Sequence, residues 1–227
     1  MKQLLLMFAV VMGQSVLAAD KKPLIADPIV EKAVRKKLKK PEGVLTEADL
    51  AKVTHLFLVS TKITDAGLKE VAKLQKLRSL ILSLTQITDV GLKEVAKLQK
   101  LERLSLTATQ ITDAGLKEVA KLQQLKVLVL YGTKITGTGL KEETKMQKLT
   151  HLVLYATQIT DAGLKEVAKL QKLETLDLRG TEITDEGLKD AAKLQNLTSL
   201  YLNDTQVIKA GVAQLKKALP KCRIEGP

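Results

Sequence analysis

Few residues in this chain could do chemistry, and they do not converge on a reaction. Two histidines (His55 and His151), one cysteine (Cys222) and the pair Asp177 and Arg179 stand out from a background of Leu, Lys, Glu and Thr. The histidines occupy equivalent places in a repeated segment, four copies apart. At strand spacing that separation is about 19 Å, too far to share a metal ion. Asp177 and Arg179 sit two apart on one short alternating segment, where opposite charges pair more readily than they catalyse. The sequence has no nucleophile with a base at motif spacing, no glycine-rich phosphate loop and no metal-ligand cluster. It therefore points to no catalytic residue, no metal and no cofactor. Cys222 reads as a buried, inert thiol, and a lone cysteine cannot form an intrachain disulfide.

What remains is the chemistry of contact. After residue 19 the chain holds four aromatic residues, Phe57, Tyr131, Tyr155 and Tyr201. Tyrosine combines an apolar ring with a polar tip, the combination that interaction surfaces favour. Whether these rings can meet depends on the elements that carry them.

Those elements repeat. A block of 24 residues recurs seven times without insertion or deletion, starting at Val53, Leu77, Leu101, Leu125, Leu149, Leu173 and Leu197 and ending at Pro220. A strict period of this length means one small unit stacked on itself. Each copy opens Leu-x-x-Leu-x-Leu, a short period-two pattern that predicts a strand of about five residues. Thr stands at the ninth position of every copy, from Thr61 to Thr205. There its hydroxyl can satisfy turn backbone groups cut off from water. Ile-Thr-Asp-x-Gly-Leu-Lys follows, with both Thr and Asp suited to cap a helix. In the third copy Leu116, Val119 and Ala120 then share one helical face, while Lys117, Glu118 and Lys121 point outward.

These residues resemble the leucine-rich repeat family over Val53 to Pro220. The family pattern is Leu-x-x-Leu-x-Leu-x-x-Asn-x-Leu. Here Thr replaces Asn, Ile or Val replaces the last Leu, and Ile-Thr-Asp-x-Gly-Leu is similar to the helix-containing subclasses. The resemblance implies an α/β fold: a right-handed solenoid, or horseshoe, with a concave parallel β-sheet, convex α-helices and a helical N-terminal cap. It implies protein interaction in general and names no partner. Geometry agrees, because strands stack at about 4.8 Å and packed helices need about 8–10 Å, so the array must bend with strands inside. One face of the sheet is then open to a partner.

On that face, positions three, five and seven of each repeat point outward and the Leu at four and six point inward. All four aromatics and both histidines fall in these three columns. The core positions of the same strands are aliphatic, so a general preference of strands for aromatics does not account for the placement. The predicted contact residues are His55, Phe57, Arg103, Val129, Tyr131, His151, Val153, Tyr155, Asp177, Arg179, Tyr201 and Asn203.

The ends differ from the repeats. Residues 1–19 read as a signal peptide: Lys2, an apolar run from Leu4 to Val11, then small residues near Ala18 and Ala19. Residues 20–52 read as the helical cap, in which Asp27-Pro28 opens a helix, Pro41 and Gly43 end it, and Thr46 with Asp49 forms a capping box. Residues 221–227 form a C-terminal strand or tail. No segment after the signal is long and apolar enough to span a bilayer.

The net charge is +12, but its excess of Lys lies on the helices, interleaved with Glu and without aromatics. That is a solvated face and not a nucleic-acid site. The run Arg35 to Lys40 reads first as cations complementing a helix C-terminus, with anion binding as the minor alternative. The fourth repeat is irregular: Gly137 replaces Asp, Glu143 replaces Val, Thr144 replaces Ala and Met146 replaces Leu. An unpaired Glu143 cannot be buried, so that helix is expected to shift or partly unwind.

The functional expectation is an exported, non-enzymatic bacterial protein, periplasmic or extracellular, whose concave face binds a protein or peptide. The alternatives are an envelope component that contacts an anionic polymer through its Lys-rich convex face, or an enzyme inhibitor of the same fold.

Overall fold

Among the described residues, eight strands of three residues each form one parallel sheet in strict sequence order, β1 to β8. They are β1 (His55–Phe57), β2 (Ser79–Ile81), β3 (Arg103–Ser105), β4 (Val127–Val129), β5 (His151–Val153), β6 (Thr175–Asp177), β7 (Ser199–Tyr201) and β8 (Arg223–Glu225). The computed structural model describes residues 22–140 and 146–227. The signal-like residues 1–19 and the fourth-repeat substitutions Glu143 and Thr144 lie outside them.

Register follows the repeat. His55 pairs with Ser79, Ser79 with Arg103, and Arg103 with Val127, so each column of the sequence becomes a row across the sheet. The strands are shorter than the pattern predicts because regular pairing stops at position five, although the hydrogen bonds continue. Leu58 N–H donates to Ile81 O and Ser60 N–H to Ser83 O. Position eight then turns the chain away with a positive φ in every repeat: Ser60, Leu84, Ala108, Gly132, Ala156, Gly180 and Asp204.

Helices of seven residues return the chain in most repeats: α3 (Asp65–Val71), α4 (Asp89–Val95), α5 (Asp113–Val119), α6 (Asp161–Val167) and α7 (Asp185–Ala191). The last, α8 (Lys209–Ala218), is longer. Isolated helices this short are unstable in water, so packing must hold them. Leu116, Val119, Ala120 and Leu122 are buried, as their helical spacing requires, and Leu68, Leu92, Leu140, Leu164, Leu188 and Val212 extend the Leu116 column of this core along the stack.

Two polar ladders fix the turns. The ninth-position threonines each donate to the carbonyl of the Leu three residues earlier, as Thr109 does to Leu106 at 2.7 Å. The choice between Thr and Asp as helix cap is resolved by a division of labour. Thr88, Thr112 and Thr184 accept from the N–H two residues on. The Asp carboxylates instead reach into the following repeat, where Asp65 accepts from both the N–H and the hydroxyl of Thr88.

Among the described residues two helices precede the repeats. Asp27 caps α1 (Pro28–Leu38) by accepting from Ile29 and Val30 N–H. The helix ends at Lys39 in a left-handed conformation, just before Pro41. Thr46 and Asp49 form the expected capping box of α2 (Glu47–Leu50). Val30, Val34 and Leu50 join the core beside Leu56 of the first strand. The fourth repeat departs from the rest, with a 3₁₀ turn at Thr138–Leu140 where others begin their helix. Its Gly137 has φ +90°, and a Cβ there would lie 2.6 Å from the Gly163 Cα of the fifth repeat. Without the Asp carboxylate between them, the two backbones close directly on each other.

Candidate functional site

The sheet presents its columns as the spacing requires, but not all to the same depth. Phe57 is 62% exposed and Tyr131 41% exposed, and His55, Arg103, His151 and Asn203 are also exposed. Val129, Val153, Tyr155, Arg179 and Tyr201 are half-buried. Asp177 is 5% exposed. Facing outward on a strand does not keep a side chain in solvent when its neighbours fold over it.

Tertiary contact assembles four of these residues. The Tyr131 and Tyr155 rings, one strand apart in position seven, stack with centroids 4.7 Å apart and planes 7° from parallel. Strand spacing sets that distance, since identical side chains on neighbouring parallel strands repeat at about 4.8 Å. Arg179 continues the same column. Its guanidinium carbon lies 5.0 Å from the Tyr155 centroid and 5.4 Å from that of Tyr201. A cation over a ring face is attracted by the ring quadrupole.

Asp177 holds this arginine in place. Its carboxylate accepts from Arg179 Nε at 2.9 Å and Nη2 at 2.6 Å, and also from the Arg179 N–H at 3.1 Å. These bonds with Asp177 raise the Arg179 pKa above an arginine's ordinary value. A planar guanidinium gripped on one edge still offers its faces for stacking. The outcome is one fixed row, Tyr131–Tyr155–Arg179–Tyr201, in which Tyr155 lies between a ring and a cation and Tyr131 stands outermost.

Beside the row lies a floor of small hydroxyl residues. The Ser83 and Ser105 hydroxyls are 3.0 Å apart, and those of Ser105 and Thr107 are 3.3 Å apart. The floor separates Tyr131 from exposed Phe57 and Val59 on the first repeat. Leu84, 58% exposed, stands on this rim and was not among the predicted contacts. Its signal was in column eight, where the other residues are Ser, Ala, Gly or Asp. Leu84 has φ +58°, a conformation unfavourable for a bulky side chain.

His55 and His151 lie on β1 and β5, each bonded through Nδ1 to the hydroxyl of the preceding threonine at 2.8 Å. Arg103 is on β3, outside the aromatic row. Among the described residues no group of His, Cys, Asp or Glu is placed to hold a metal ion.

Comparison with known proteins agrees with this architecture. The leucine-rich repeat family model matches residues 73–96, 97–120 and 169–190. No curated protein is matched by the sequence. The crystal structure of internalin C2 from Listeria monocytogenes is similar with a TM-score of 0.68 and 28% identity, covering 92% of this chain and 98% of that one. A leucine-rich repeat protein of Leptospira interrogans is similar with a TM-score of 0.56 and 26% identity, covering 78% of this chain and 50% of that one. The chain carries leucine-rich repeats and shares the solenoid fold of these bacterial proteins. Protein interaction is the general role that this fold and its neighbours support. Among the described residues no helix is long and apolar enough to cross a membrane.

Proposed function

We propose that this is an exported, non-enzymatic protein that binds a protein or peptide on its concave sheet face. The observation that carries the reading is the gathering of every aromatic residue after residue 19 onto that face, with three of them in contact with Arg179 or with each other. A row already held rigid loses little side-chain entropy on binding, which favours affinity. Tyr and Arg are also the residue types that dominate interface energetics. Phe57, Val59 and Leu84 supply apolar contact across the hydroxyl floor. His55, Arg103, Val129, His151, Val153 and Asn203 complete the surface, and Asp177 acts by fixing Arg179. Export rests on the signal-like residues 1–19.

The envelope alternative through the convex face has less support. Lys73, Lys97 and Lys121 each lie within 2.9 Å of a Glu one helical turn earlier, and Lys193 pairs likewise with Asp190, so much of the helical Lys charge is neutralised locally. The inhibitor alternative differs only in what the partner is.

The test is a pull-down from native envelope extract with wild type and Tyr131→Ala/Tyr155→Ala side by side, followed by titration of the captured partner. The double variant should lose about tenfold or more in affinity while keeping its circular dichroism. Equal capture and equal affinity would overturn the reading.

A further inference from the structure

A second surface of different chemistry runs along α1. The helix buries Val30 and Val34 and turns Lys32, Lys36 and Lys39 to the opposite side, where they line a groove with Pro28 and Pro41. Between Pro28 and Pro41 the sequence has six cations and one acid. That acid, Glu31, is bonded to Arg35 at 2.8 Å, and Lys40 is held by Asp49 at 2.7 Å and by the Val44 carbonyl at 2.8 Å. Lys32, Lys36 and Lys39 are exposed, and none forms an ion pair among the described residues. On the seven-residue helices the lysines outside ion pairs, such as Lys93, Lys117 and Lys165, stand one to a helix, and those of α8, Lys209, Lys216 and Lys217, line no pocket with one another. The three on α1 share a single concave lining.

The cation spacing suits a chain better than a point ligand. Lys32, Lys36 and Lys39 extend over about 10 Å of helix at roughly one turn per charge. An ammonium is a compact point charge that suits phosphate without demanding a bidentate geometry. No aromatic side chain lines the groove, so a polymer bound there would find no ring on which to stack bases.

We propose that this groove binds a linear phosphate polymer without bases, laid along α1 against Lys32, Lys36 and Lys39. The site is independent of the concave face and of the partner bound there.

The experiment titrates the full mature chain with end-labelled long-chain inorganic polyphosphate by anisotropy, across a range of salt concentrations. Lys32→Glu/Lys36→Glu/Lys39→Glu should weaken binding about tenfold or more. The slope of log affinity against log salt should fall by about 2, since each lost phosphate contact removes about 0.7. The corresponding Gln triple should show the same slope change with a smaller loss, which covers the case in which charge reversal disturbs the helix. Lys93→Glu/Lys117→Glu/Lys165→Glu, and Tyr131→Ala/Tyr155→Ala, should bind polyphosphate within about threefold of wild type. The proposal is overturned if the α1 triples bind like wild type or if the convex triple loses as much. Tighter binding of heparin, a dT oligomer of equal charge or phosphatidylglycerol vesicles than of polyphosphate would also overturn it.

Discussion

Asp89 and Thr112 belong to neighbouring repeats and are joined twice: Asp89 Oδ1 accepts from the Thr112 N–H at 2.8 Å, and Oδ2 from its hydroxyl at 2.6 Å. The bond ties the start of α4 to the residue that caps α5, so one carboxylate fixes the spacing of two helices. The same link joins Asp65 to Thr88 and Asp161 to Thr184. Replacing Asp89 by Ala removes both bonds and leaves the Thr112 donors without that partner. It should cost about 2–4 kcal/mol, since bonds to charged groups contribute more than neutral ones. A lower urea midpoint with unchanged secondary structure is the expected measurement.

The Asp ladder also explains Gly91, Gly115, Gly187 and Gly211, where an added Cβ would meet the Asp carboxylate of the preceding repeat. A Cβ on Gly115 would overlap the Asp89 carboxylate and press on Leu92 and Ile111. Ala is ordinarily the better helix residue by about 1 kcal/mol, yet Gly115→Ala should destabilise this protein. In a double-mutant cycle, Asp89→Ala should recover part of that loss, because the carboxylate in the way is gone. Strict additivity in the cycle would refute the clash.

Leu84 occupies a left-handed position on the rim of the proposed binding face. Gly adopts that conformation without the clash a Cβ makes, although it gives the unfolded chain more entropy to lose on folding. Leu84→Gly should leave stability unchanged or raise it by up to about 1 kcal/mol, while weakening capture of the concave-face partner. A stability loss beyond 1 kcal/mol would show that Leu84 packs for the fold.

Glu70 joins the first repeat to the preceding segment, accepting from Ala26 N–H at 2.7 Å and Lys73 Nζ at 2.9 Å. Burial pushes its carboxyl up, but the bonds from Lys73 and Ala26 outweigh this and hold it below its ordinary value. A depressed folded-state pKa means stability that is present above the unfolded value of 4.5 and lost as pH falls through the folded value. Glu70→Gln should therefore melt earlier than wild type at pH 7, and the gap should close on acidification below about pH 4.5. A gap that does not change with pH would argue against this ion-pair contribution.

Cys222 is buried behind the last helix, and burial raises its thiol pKa. Its thiolate is disfavoured and sheltered. Native protein should react slowly with a thiol reagent at pH 8 and fully once unfolded in guanidinium. Rapid native labelling would mean that this end of the solenoid opens readily.

Most of the architecture was legible because each repeat states it again. The inward Leu columns, the Asp27-Pro28 helix start and the Thr46–Asp49 capping box are patterns within a few residues of each other, and the structure reproduces them. The irregularity of the fourth repeat was visible at Gly137, which breaks the Asp column just before a 3₁₀ turn, whereas Glu143, on which the expected unwinding rested, lies outside the described residues. Less legible was the depth of each outward residue. Ser79, Ser105 and Asp177 are buried although their strand positions face out, because exposure depends on the size of neighbours one strand away.

The period of 24 residues, set by the sequence alone, determined that the chain stacks, that its strands run parallel and that its aromatics share one face. Only the tertiary structure decided what those residues do to each other. Asp89 could have capped its own helix, but stacking placed Thr112 within reach. Tyr131, Tyr155 and Arg179 are a repeat apart in sequence, yet in-register pairing sets them one strand apart in a single row. The physical reason is that a repeat fixes local geometry through bonds spanning a few residues. Contacts between repeats arise only when the hydrophobic core has closed and the strand spacing of about 4.8 Å brings equivalent side chains together.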